Sequence, residues 1–123
     1  MDSLIVYGRL AARVLSWIGI AAIVILTVVP AIDRPETVFG PRLEHLAAFA
    51  LVAGTFAAGY RFSLARLLLL ALVFCGGIEL LQIPLPTRHA RLRDFVLDLI
   101  ASCIAIGLVF VAERLVGIDR KTI

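Results

Sequence analysis

Charge is scarce in this sequence. Asp, Glu, Lys and Arg together make up 17% of its 123 residues, against about a quarter in an ordinary soluble domain. Apolar residues reach 62%, and the mean hydropathy is +1.05. A water-soluble fold needs polar side chains to cover its surface, and too few are present here. Length alone suggests one domain, spanning residues 1–123. Composition makes that domain an integral membrane protein.

Other absences narrow the chemistry. There are two cysteines, Cys75 and Cys103, both inside apolar runs and without C-x-x-C spacing. They read as free thiols behaving as small hydrophobes; a disulfide would need the third and fourth helices to touch there. No H-E-x-x-H or comparable ligand motif occurs, so no metal and no cofactor is expected, although one histidine among several carboxylates is a combination that holds divalent ions elsewhere. No G-x-S-x-G occurs, and the hydroxyls nearest the polar residues discussed below, Thr87 and Ser102, stand in unremarkable contexts. There is no internal repeat and no low-complexity segment. The net charge is +3, but the basic residues fall in short clusters between apolar runs. That is the flanking pattern of membrane helices, not the patch or stripe that nucleic acid requires.

What the chain does have is four apolar runs, predicting an all-α membrane bundle of four transmembrane helices at about residues 14–32, 43–60, 62–83 and 93–113. A span needs about 20 mostly apolar residues, and the second run meets this only with its polar start near the interface. The first run is longer than a signal-peptide core and lacks a clear small-x-small site, so it is expected to be retained, ending near Pro30. Connections are short and carry breakers at Pro35, Gly40, Pro41, Pro84 and Pro86, which makes sequential helices antiparallel. Ala50, Gly54 and Ala58, like Ala101 and Ala105, repeat at the small-xxx-small spacing of close helix packing. The tail from Gly117 is expected to be mobile.

Four spans put both termini on one side. That side carries Arg9, Arg13, Arg61, Arg66, Arg114, Arg120 and Lys121; the other carries Arg34, Arg42, Arg88, Arg91 and Arg93. The bias favours cytoplasmic termini.

The same topology gathers the scarce polar residues. Glu44 and His45 open the second span, Glu79 and Gln82 close the third, and Asp94 and Asp98 open the fourth, so all fall in one shallow layer away from the termini. Glu79 and Gln82 are i, i+3 and Asp94 and Asp98 are i, i+4, so each pair shares a helix face. Arg88, His89, Arg91 and Arg93 belong to the adjoining loop. Ionisable groups at this depth are costly and mark candidate sites. Asp94 has a simpler explanation, since an acid in a first turn complements the helix dipole. A buried network of polar glue is the structural alternative for the whole set, though each interhelical hydrogen bond returns only about 0.6 kcal/mol.

The order of these residues resembles the VanZ-like family: a histidine at the start of the second span (His45) followed by an aromatic (Phe49), E-x-x-Q ending the third (Glu79, Gln82), a loop arginine (Arg88), and an aspartate opening the fourth (Asp94). The likeness covers about residues 43–107. The chain departs from it at Asp98, where the family usually has Asn, and at Ala101, where it usually has Gly. The resemblance implies a small multi-pass protein of the bacterial cytoplasmic membrane; the family's named member is linked to low-level resistance to the glycopeptide teicoplanin.

Three functions follow as expectations. The first is an outer-face site that binds a lipid headgroup or cell-wall precursor, lined by His45, Glu79, Gln82, Arg88, Asp94 and Asp98, with loop arginines on phosphate or carboxylate. The second is a small membrane enzyme with His45, Glu79 or Asp98 as the acid–base group. The third, a transporter or channel subunit, would need the chain to form a homo-oligomer. The expected partners are membrane lipids or an envelope precursor, and not nucleic acid.

Overall fold

A computed structural model describes residues 2–29, 38–83 and 92–120. The described residues are all-helical, with no strand: α1 (Asp2–Val28), α2 (Pro41–Gly59), α3 (Leu64–Gln82) and α4 (Leu92–Leu115). The four-helix architecture expected from the apolar runs is present. Three helices, α1, α3 and α4, are long and apolar enough to cross a membrane. α2 equals α3 at 19 residues but stays outside that group, because its first five residues include Arg42, Glu44 and His45 and its body is rich in alanine and glycine.

α1 departs most from expectation. It begins at Asp2, not near residue 14, and at 27 residues it is about 40 Å long. Hydropathy marks where a helix becomes apolar, not where it begins. The stretch before Val14 is rich in good helix formers, and its Arg9 and Arg13 have partners on α2. The helix stops at Val28, short of Pro30, which itself lies outside the described residues.

The helices close into a ring in the order α1, α2, α4, α3. α2 packs most extensively, against α4 and α1, whereas α1 meets α3 sparingly. Gly54 sits against Ala105, where an added Cβ would lie 3.7 Å from the Ala105 Cβ, so the small-residue spacing does serve the α2–α4 contact. The α1–α2 approach is closer still. A Cβ at Gly19 would fall 2.5 Å from Val52 Cγ2, and one at Gly59 would fall 2.9 Å from the Arg13 backbone nitrogen.

The core divides along the bundle axis. Ile23, Phe49, Val52, Cys75 and Ile78 form the cluster nearer the polar layer; Ala57, Leu67, Ala71 and Ile106 form the cluster nearer the termini. Large apolar side chains such as Leu51, Leu69, Ile104 and Leu108 lie on the outer surface, far more than a water-facing monomer displays. Hydroxyls within the helices turn back on their own backbone: Thr27 donates to the Ile23 carbonyl, Thr55 to Leu51 and Ser102 to Asp98. A polar group in an apolar medium must be satisfied internally.

At the terminal end, three arginines satisfy the last carbonyls of α2. A helix leaves its final four C=O groups without intrahelical partners. Here Arg120 Nη2 donates to Ala57 O at 2.7 Å, Arg9 Nη1 to Ala58 O at 3.4 Å and Arg13 Nε to Gly59 O at 2.8 Å, while Arg120 Nη1 reaches the carbonyl of Tyr60, just past the helix, at 3.1 Å. Arg120 also reaches Phe62 O at 3.1 Å and Glu113 at 2.6 Å, with Phe110 beneath its guanidinium. The expectation of a mobile tail is therefore corrected at Arg120, which is anchored. The sequence shows an arginine past a helix end, but not the carbonyls that receive it.

Candidate functional site

The polar layer lies at the opposite end from these arginines. Gly40 precedes α2 with φ +84°, and Pro41 occupies the first helical turn, where a missing N–H does no harm. That start sets His45 one turn into α2. Asp98 stands six residues into α4, about 9 Å along its axis. Across the α2–α4 contact His45 Nε2 meets Asp98 Oδ2 at 3.0 Å. The side chains differ in exposure: Asp98 keeps 5% of its accessible surface, His45 29%. With Nε2–H donated to the carboxylate, Nδ1 is the ring's second polar atom. Phe49, one turn deeper and buried, packs against the imidazole with ring centroids 4.9 Å apart.

α3 joins the layer through its packing on α4. Cys75 Sγ and Ser102 Oγ approach to 3.8 Å, both buried. Glu79 and Asp98 each lie four residues beyond this contact on antiparallel helices, so both rise about 6 Å above it and share one height. Glu79 is half-buried there, and Gln82, a turn further, is buried at 6% exposure. Cys75, Ile78 and Gln82 make up the inward stripe of α3 toward this end.

Of the expected set, His45 and Asp98 are in direct contact, Glu79 shares their height, and Gln82 lies inward. Asp94 is half-buried in the first turn of α4, the position at which an acid complements the dipole. Arg88, with His89 and Arg91, lies outside the described residues. Arg93 is exposed. Among the described residues, no three His, Cys, Asp or Glu side chains converge as a metal site would require. Both cysteines are free; Cys75 is buried and Cys103 only partly so.

Ser102 has a more definite place than its sequence context suggests. Its Oγ donates to the Asp98 carbonyl at 2.8 Å and faces Cys75, so it joins the backbone beneath Asp98 to α3. The signal lay in its i+4 spacing from Asp98. Comparisons with protein-family models, with curated proteins and with solved structures return no match to this chain.

Proposed function

We propose that this chain is a VanZ-like protein of the bacterial cell envelope, embedded in the cytoplasmic membrane with both termini inside, with α2 crossing beside the three more apolar helices. Its outer-face polar site binds a lipid headgroup or a cell-wall precursor. The observation that carries this reading is the His45–Asp98 pair. A carboxylate closed from solvent in an apolar bundle is costly unless paired. Its partner here is a histidine that remains partly open toward the end of the bundle. Such a pair holds an imidazole in a fixed orientation with one nitrogen available to a ligand. Arg42 and Arg93, exposed on the first turns of α2 and α4, add cationic donors suited to a phosphate or carboxylate. Through the family resemblance, the proposal extends to glycopeptide susceptibility.

The test is retention of phospholipid by the purified chain, read by native mass spectrometry. The wild-type chain is expected to retain lipid in fixed stoichiometry without altering it, and His45→Ala to lose it while still folding. Lipid turnover that disappears in His45→Ala would replace binding with catalysis. A second reading has its own support, because the pair joins α2 directly to α4 and so can act as polar glue. Under that reading His45→Ala fails to fold in detergent, and no lipid dependence is seen.

A further inference from the structure

Directly beneath the polar site, residues of both core clusters line a cavity of about 290 Å³, just under the size range of small-ligand sites, about 300–1,000 Å³. Its α2 wall runs from Phe49 to Phe56, seven residues or about 10 Å along the axis. The two ends differ. At the upper end Phe49 packs against His45 and Ser102 bonds to the Asp98 carbonyl, so the cavity begins one turn below the His45–Asp98 pair. At the lower end Trp17 packs edge-on against Phe56, and its Nε1 donates to Tyr60 Oη at 2.7 Å. This aromatic group closes the end toward the termini.

The side wall is where α1 and α3 meet sparingly. There the lining residues Trp17, Leu70 and Val73 are also exposed on the outer surface, so the cavity opens sideways to whatever surrounds the bundle. For helices this apolar, those surroundings are hydrocarbon. Water has little to bind inside: the lining is apolar except for Ser102, whose hydroxyl hydrogen already goes to Asp98. An apolar recess that water does not solvate gains dispersion contacts on its walls when hydrocarbon fills it. We propose that this crevice takes part of one acyl chain of a bilayer phospholipid, its phosphate held at the His45 end near Arg42 and Arg93. The inference rests on the headgroup reading above and deepens it by naming the class of ligand and its direction of entry, polar end at His45 and tail toward Trp17.

Photolabelling tests this with the full chain in detergent micelles, using a phosphatidylglycerol that carries a diazirine on one acyl chain. The expected adducts fall on Phe49, Val52, Ser102 and Ile106, side chains closed to the outer surface, and excess unlabelled phosphatidylglycerol displaces them. Ala71→Phe, which fills the crevice from α3, is expected to lower this interior labelling severalfold; Ala53→Leu does the same from α2 should the first variant fold poorly. Adducts confined to outward residues such as Leu51, Leu69 and Ile104 would overturn the proposal, even if lipid retention still depended on His45. Interior adducts that persist unchanged in His45→Ala would uphold the acyl-chain crevice and overturn the headgroup reading instead.

Discussion

At the scale of single residues, the molecule turns on how its few buried polar atoms are paired. Removing His45 strands the Asp98 carboxylate in an apolar setting, so His45→Ala is expected to cost about 3–5 kcal/mol of stability. Removing both groups in His45→Ala with Asp98→Leu should cost less than the sum of the two single changes, since neither leaves a stranded partner. Unfolding in mixed micelles, run as a double-mutant cycle, measures the difference, and strict additivity would show that the pair is not coupled. Asp98→Asn keeps an acceptor for His45 Nε2–H and should be the mildest change at that position in the same assay. The sequence made this layer legible because helical spacing and alternating helix direction put His45, Glu79 and Asp98 at one height. It did not show which of them touch. That depends on side-chain direction and on the α2–α4 contact, and spacing along one helix carries neither.

At the scale of helices, contact depends on absent side chains and on one anchored tail. Gly19 and Gly59 matter for space: a larger residue at either meets Val52 or the Arg13 backbone. Gly19→Leu and Gly59→Val are each expected to destabilise by about 1–3 kcal/mol, the usual cost of overpacking, as a lower thermal midpoint in detergent. The same changes at Gly77, whose surroundings are open, should have little effect. Arg120→Ala removes the donor to Ala57, Tyr60 and Phe62. Amide exchange should then quicken over residues 57–62 while the polar end stays protected. The existence and order of the helices were legible because apolar runs are long and breakers sit between them. The start of α1 was not, because helix propensity continues past the point where hydropathy fades. The anchored tail was hidden for another reason: its partners are backbone carbonyls, which every residue has and no sequence pattern marks.

At the scale of the whole molecule, the two ends are chemically unlike. One presents arginines bound to helix carbonyls; the other presents a histidine–carboxylate pair. The proposed orientation can be tested directly in a Cys75→Ala, Cys103→Ala background. A cysteine at Val38, which is 97% exposed near the polar end, should react with an impermeant maleimide on intact cells. One at Leu115, 84% exposed near the termini, should react only after permeabilisation. The reverse pattern would put the polar site in the cytoplasm and remove the envelope reading. The crevice was illegible in sequence because it arises where α1 and α3, not consecutive in the chain, fail to fill the space between them. The anchoring of Arg120 also bears on the order of assembly. Arg120 is sixty residues downstream of Tyr60, whose carbonyl it binds. While the chain is being made, that end of α2 must rely on interfacial water and on Arg9 and Arg13. The Arg120 contacts with that end of α2 can therefore form only after α3 and α4 have been synthesised and the residues beyond them have folded back, which makes this closure of the terminal end a late event in biogenesis.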